Sequence, residues 1–559
     1  MKNWVILITL LIIAIGASAQ EYDYKFRLSL TDKGQTKYSI EKPQEFLSQK
    51  AIERREKQGI VIDETDLPIS QDYIKQIEGK GVIIVAKSKW QKSVSVHCTD
   101  SAIVEELTTL PFVANATFVW KGKKQEIKKK EYPDSLKLPN KQEVLFGQPY
   151  GLAHDNIKSL NTEALHKAGF KGKGIDIAVI DAGFNHLPSI ELLDNLNIKG
   201  CKGFIYGHED LFVSANQHGL NVVSCIGTNK PMQFVGSAPE ASFWLLSTED
   251  SRSEFPIEED YWATAIEYAD SVGVDVVNTS LGYNNFDFPA RSYTHKDLDG
   301  KTAFISRSAN IASQKGMVVV CSAGNSGDSS WRKITPPSDA DGILTIGAIG
   351  RDSTLASFSS RGYSADMRVK PDVVALGLGS VVVDDKGQIT YKSGTSFSSP
   401  IMCGTVACLW QAFPTLTNKE LMQLVRESAN QYEDPDEDFG YGLPNMELAM
   451  QLGAKAVKIK GKNRIAYSDN FRVESDGIGQ IRIVYIGDEP ITGHLEVIIS
   501  RKEKNDRTKE IDSFSFTGKD GQEPFTEYSK NLKAKKKDLY VLIIKGSDLQ
   551  ERELFNLYF

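Results

Sequence analysis

The stretch Ser393–Pro400, read SGTSFSSP, opens directly onto the apolar run Ile401–Phe413, IMCGTVACLWQAF. A small Gly-containing turn at a helix start exposes the first helical N–H groups and the positive end of the helix dipole. A serine held there can attack a carbonyl while its own N–H helps hold the oxyanion that forms, which singles out Ser396. Pro400 is expected in the first helical turn, where its missing N–H is no loss. Alone, the stretch also reads as an N-cap serine ahead of a buried helix, so its meaning depends on what accompanies it.

Three upstream stretches accompany it. Gly174–Asp181, GIDIAVID, has the pattern of a buried strand and ends on Asp181, with Ala182 and Gly183 following. A carboxylate at the C-terminal end of a parallel strand lies where α/β folds build their sites. His218 opens the helix-like HGLNVVSCIG, a position from which one group can hold the ring and another can be reached. Val318–Gly327, VVVCSAGNSG, is a strand ending in a Gly-flanked Asn325, whose amide can serve as a second oxyanion donor.

These residues, in the blocks AVIDAGF, HGLNVVSCIG, VNTSLGY at Val277–Tyr283, SAGNSG and GTSFSSP, resemble the subtilisin-like serine proteases, the subtilases, over roughly Tyr150 to Leu452. The chain order Asp, His, Ser is that of this family and differs from that of α/β-hydrolases. The resemblance implies an α/β three-layer fold with a mainly parallel sheet. It also implies roles: Ser396 as nucleophile, His218 as general base and then acid, Asp181 holding the His218 tautomer, and Asn325 stabilising the oxyanion. Ser280, Leu281 and Gly282 would pair with an extended substrate through main-chain hydrogen bonds. Two departures stand out. Ala182 replaces the usual Thr or Ser, and Leu220 and Asn221 replace the Thr and second His of HGTHVAG. They leave one alternative reading, a catalytically impaired subtilase that acts as a binding or surface protein. An esterase of another fold is disfavoured, because no GxSxG elbow precedes the partners.

The chain has 559 residues, 41% hydrophobic and 25% charged, which is ordinary globular composition with room for more than one domain. A net charge of −7 argues against nucleic acid as a partner. Residues 1–19 read as a signal peptide, with Lys2, the apolar Trp4–Ile15 and the A-x-A site Ala17-Ser18-Ala19. The apolar stretch is shorter than the ~20 residues needed to span a bilayer, so the expectation is a secreted protein, extracellular, periplasmic or on the cell surface, with no membrane span. Of the six cysteines, Cys201 and Cys225 are the candidates for a disulfide, and Cys403 and Cys408 read as core thiols. No spacing suggests zinc; no cofactor is certain, and a structural calcium ion stays open. Asp297, Asp299 and Gly300 begin like a calcium loop, but the remaining ligands are absent and a polar turn is favoured. The isolated histidines have no paired ligand spacing and read as surface or structural.

The expected division is a small α/β propeptide-like unit at 20–120, a basic linker with a processing region at 121–148, the peptidase domain at 149–455 and a β-sandwich-like unit at 456–559. In the resemblance, the first unit is the enzyme's own propeptide and the substrates are polypeptides. The last unit carries no visible chemistry, and stabilisation, surface attachment and secretion stay open as its role. Glu249 and Asp250, with Glu254, Glu258 and Glu259 nearby, are candidates for a pocket that draws in basic side chains. Their other reading is as solvated or helix-entry charges.

Overall fold

The computed structural model describes residues 22–123, and 147–460 apart from 209, 214 and 215. Beyond them it describes 464–467, 471–475, 480–485, 491, 493–502, 508–517, 525–532, 539–547 and 553–558. The leader and most of the basic linker, with its processing region, lie outside the described residues.

Among the described residues the central sheet has seven strands, all parallel. Their spatial order is Val373–Leu376, Leu344–Ile349, Val318–Ser322, Val276–Thr279, Asp176–Asp181, Ser242–Ser247 and Asn197–Gly203. Side chains alternate across a strand, so a sheet covered on both faces needs apolar residues at every position. Ile177 and Val179 accordingly join the core around the helices His218–Gly227 and Thr395–Ala412, while Ala178 and Ile180 join the core around Ile257–Val272 and Phe304–Gln314. The helix Thr395–Ala412 is apolar all round because the sheet lies on one side of it and other helices on the rest. This is the α/β architecture expected from the sequence.

The N-terminal unit is a four-stranded antiparallel sheet, in the order Ile83–Ser88, Ser93–Cys98, Tyr22–Leu30 and Val113–Lys123. The last strand continues to Lys123, past the expected start of the linker at 121, because Tyr22–Tyr24 pairs with 121–123 and ladder hydrogen bonds outweigh the charge run. One face of the sheet packs on its own helices Gln71–Glu78 and Ile103–Thr108, with Leu28, Ile77, Val94 and Leu107 between. The other face lies on the helix Ile257–Val272 of the central unit.

That helix presents acidic groups to the unit. Arg27 Nε donates to Asp260, 2.7 Å, and Ser95 Oγ also donates to Asp260, 2.7 Å. Glu267 accepts from Ser88 Oγ, from Lys89 N–H, 2.9 Å, and from Trp90 N–H, 3.1 Å. Asp270 is paired with both Arg54 and Arg55; Arg55 reaches Asp66 at 2.8 Å, and Lys315 of the central unit reaches Asp66 at 2.9 Å. Arg54, Arg55, Asp66 and Asp270 are all buried.

The C-terminal strands form two four-stranded antiparallel sheets. Val473, Ile481 and Ile483 of one sheet and Leu495, Val497, Leu542 and Ile544 of the other share one core, which makes the unit a sandwich. The helix Met446–Lys460 runs across the expected boundary at 455. Arg472 holds the sandwich to the central unit, donating to the Ala168 carbonyl at 3.2 Å and lying over the Phe170 ring.

Candidate active site

Asp181 ends its strand fully buried. Its Oδ1 accepts from the Ala182 N–H at 2.7 Å and lies 2.7 Å from His218 Nδ1. Its Oδ2 has no hydrogen-bond partner among the described residues, and Ala182, next in the chain, carries no side-chain donor. His218 is the first residue of its helix, and its backbone N–H donates to Asn216 Oδ1, 2.9 Å. Burial alone would lower the His218 pKa, but the Asp181 charge and hydrogen bond outweigh it and hold the pKa above the usual imidazole value. The substitutions beside it are accommodated. Leu220 is buried in the core, and the Asn221 amide donates to the Val383 carbonyl, 2.7 Å, while its oxygen accepts from Lys392 Nζ, 2.9 Å.

Ser396 is the second residue of the helix Thr395–Ala412. The turn before it needs glycine, since Gly394 has φ 154° and a side chain there would face the Asn325 amide. The next residue, Phe397, sets its ring 6.0 Å from the His218 ring. The Ser396 hydroxyl donates a long bond, 3.4 Å, to the Ser280 carbonyl, and it is not hydrogen-bonded to His218 in this conformation. Catalytic hydrogen bonds are often long before substrate binds.

Pro400 does not sit in the first turn as expected; it is the sixth residue of the helix. Its missing N–H leaves the Ser396 carbonyl without the usual donor four residues on. Ser280 Oγ supplies one at 3.0 Å. Asn278 Nδ2 in turn donates to Ser280 Oγ, 3.0 Å, and Ser399 Oγ donates to Asn278 Oδ1, 2.9 Å. This buried relay ties the end of the strand Val276–Thr279 to the helix bearing Ser396. The sequence reading missed Asn278 and Ser399; their one signal was a polar residue inside an otherwise apolar strand and another ahead of Pro400.

Asn325 follows the strand Val318–Ser322, and its Oδ1 accepts from Thr395 N–H, 2.8 Å, and Thr395 Oγ1, 3.0 Å. Those donors fix which end of the amide is oxygen, so Nδ2 remains available as a donor. Ser280, Leu281 and Gly282 lie beyond the end of the strand Val276–Thr279, and the main chains of Leu281 and Gly282 make no backbone hydrogen bond among the described residues. Gly282 packs on Thr335, where a Cβ would come within 2.2 Å of Oγ1.

Glu249 and Asp250 follow the strand Ser242–Ser247, next to Thr248, whose N–H donates to the Asp181 carbonyl at 3.1 Å. The two differ. Asp250 is buried and chelated by Arg252, so its charge is already met. Glu249 accepts from Tyr283 OH and Thr248 Oγ1, and burial of its carboxyl pushes its pKa up to about 8. Asp297 caps a short turn through Thr294, and Asp299 accepts from Lys301 and Thr302 N–H groups, so this stretch is a polar turn. Among the described residues no group of three or more His, Cys, Asp or Glu is arranged to hold a metal ion. All six cysteines are free. The candidate partners Cys201 and Cys225 are not bonded: Cys201 is exposed on the edge strand, whereas Cys225 is buried and directed at the Val381 carbonyl. His166 is a structural histidine, buried with Nε2 3.0 Å from the Ser237 carbonyl oxygen.

Residues 172–442 match the model of the subtilase family, and residues 25–134 match that of the peptidase S8 propeptide domain of Bacteroidota, which extends into the expected linker. Subtilisin E of Bacillus subtilis (strain 168) is 28% identical over 305 residues, 54% of this chain and 71% of its own length. Subtilisin of Bacillus pumilus is also 28% identical over 305 residues, 98% of its length. Serine protease AprX of Bacillus subtilis is 29% identical over 314 residues, 49% of this chain and 66% of its own length.

Proposed function

The chain belongs to the subtilase family of serine endopeptidases, and from that premise we propose that it cleaves polypeptides through an acyl-enzyme formed on Ser396. The observation that carries this reading is the Asp181–His218 contact of 2.7 Å beside the helix start that bears Ser396. A rotation about the Ser396 side chain takes its hydroxyl from the Ser280 carbonyl toward His218. His218 Nε2 then accepts the hydroxyl proton as Oγ attacks the peptide carbonyl. The oxyanion meets the Ser396 N–H and Asn325 Nδ2, two donors already fixed before reaction. Collapse of the intermediate expels the amine, which takes the proton from His218. A water that gives its proton to His218 cleaves the ester. Asp181 keeps Nδ1 protonated and stabilises the imidazolium. The unpaired main chain of Leu281–Gly282 is the edge to which an extended substrate adds as a strand.

The N-terminal unit is read as an inhibitory propeptide removed by cleavage within 121–148, and the leader at 1–19 as an export signal. Among the described residues no helix is long and apolar enough to cross a membrane.

Peptide hydrolysis by single and double variants tests the mechanism. Ser396→Ala and His218→Ala are each expected to lower kcat on the order of 10⁶-fold, and the double variant little further, because the two act as a unit. A multiplicative further loss in the double variant would contradict the shared mechanism.

A further inference from the structure

Beside the candidate active site lies a group of carboxylates, Glu249, Glu254 and Glu258, that make no ion pair among the described residues. Glu258, in the first turn of the helix Ile257–Val272, is 2% exposed. Its Oε1 accepts from Asp250 N–H at 2.6 Å, and its Oε2 is buried with no partner among the described residues. Glu249 and Glu254 are its strongest electrostatic neighbours, and each makes ionisation of Glu258 harder. Glu254 lies against Asp287, with Glu254 N–H donating to Asp287 Oδ2 at 3.0 Å. Asp250 does not belong to the group, since Arg252 neutralises it. A buried carboxylate oxygen without a donor is costly unless a ligand supplies one.

The precursor's own chain indicates which ligand that is. The strand Val113–Lys123 ends here: Trp120 Nε1 donates to Ser253 Oγ at 3.2 Å, and Lys121 lies over the Phe288 ring. Ser253 and Phe288 flank Glu254 and Asp287 in sequence. Lys121, next to Trp120, opens the sequence run KGKKQEIKKK at 121–130, of which 121–123 complete the strand. Lys25 of the same sheet is already within electrostatic reach of Glu258. Trp120 precedes the region 121–148 in which processing is expected, so the group meets residues on the N-terminal side of the cleaved bond.

We propose that Glu249, Glu254 and Glu258 form a subsite for the cationic side chain of a lysine or arginine upstream of the scissile bond, so that basic polypeptide segments are the preferred substrates. The proposal rests on the serine endopeptidase reading above. A cation entering this partly desolvated group gains Coulomb energy that an apolar side chain of equal length does not.

The test uses enzyme counted by fluorophosphonate titration of its active sites. Alanine-based peptides carry one lysine, or one norleucine, at successive positions upstream of the cut. At low salt one position is expected to favour lysine by about tenfold or more in kcat/KM, and the advantage shrinks as salt rises. Glu258→Gln and Glu249→Gln are expected to lower turnover of the lysine peptide far more than that of the norleucine peptide. Titrated enzyme that cleaves the alanine reference peptide, yet favours lysine nowhere, overturns the subsite and leaves the peptidase reading standing. So does a lysine preference that survives both variants, or, should the variants not fold, one that salt leaves unchanged in the parent enzyme. Enzyme that neither titrates nor cleaves any peptide overturns both readings.

Discussion

The surroundings of Ser396 and the docking face of the helix Ile257–Val272 lie in one domain and are held by opposite kinds of contact. Around Ser396 the supports are neutral: the Ser399–Asn278–Ser280 relay, and Thr395 on Asn325. Asp181 facing His218 supplies the charge. On the docking face the supports are buried ions, Arg27 on Asp260 and the Arg54, Arg55, Asp66, Asp270 and Lys315 cluster. Neutral hydrogen bonds fix geometry without depending on salt or pH. Buried ion pairs contribute little net stability against an apolar contact, yet losing one partner is heavily penalised. The surroundings of Ser396 are thus held independently of salt and pH, whereas the fit of the N-terminal unit depends on buried charge.

Breaking the ionic side should have the largest effect. Asp270→Asn strands Arg54 and Arg55 without their shared carboxylate, and removing one member of such a buried cluster costs about 3–5 kcal/mol. Inhibition of the mature enzyme by the N-terminal unit should weaken by at least about a hundredfold, while kcat of the mature enzyme is retained. Unchanged inhibition would place the affinity in the apolar part of the interface.

On the neutral side, Ser280→Ala leaves the Ser396 carbonyl with neither a backbone donor, because of Pro400, nor a side-chain donor. A buried unsatisfied acceptor costs about 1–3 kcal/mol. The expected result is a lower melting temperature and reduced kcat, with no change in the affinity for the N-terminal unit. A loss that salt can modulate would break the distinction between the two regions.

The smallest expected effect sharpens the contrast through pH. Burial pushes the Glu267 carboxyl up to about 7, and its hydrogen-bond donors all come from the N-terminal unit. Bound Glu267 therefore takes up a proton that it does not hold when the unit has left. Association is strongest below the ordinary glutamate range and weakens as pH rises through about 7. Lys25, pushed down to about 8, acts above that window. Between about pH 5 and pH 7 the inhibition constant should rise by about tenfold, and Glu267→Gln should flatten the rise. An equal slope in both proteins would remove Glu267 from the linkage.

Asp181, His218, Asn325 and Ser396 were legible as candidates because each sits where an apolar run ends or begins at a small or Gly-containing turn, and such breaks survive in one dimension. The parallel sheet was legible for the same reason: its buried strands are unbroken apolar runs. The Ser399–Asn278–Ser280 relay was not, because single polar residues on separate elements show no spacing. Nor were the docking pairs, in which Arg27 and Arg54 meet carboxylates more than two hundred residues away. Pro400 was placed a turn too early, since the helix begins at Thr395 and tolerates the proline through a donor from another strand.

The central claim is that Ser396 is a nucleophile activated by His218, and a fluorophosphonate probe with peptide mapping of the adduct tests it most directly. With the N-terminal unit removed, the account predicts one adduct, on Ser396. Its rate should climb as pH rises through a value above the ordinary histidine range, because Asp181 holds the His218 pKa up and the base form appears only there. Ser396→Ala should carry no adduct, and His218→Ala should react orders of magnitude more slowly. A folded, unit-free enzyme that stays unlabelled, or labels as fast without His218, would contradict it.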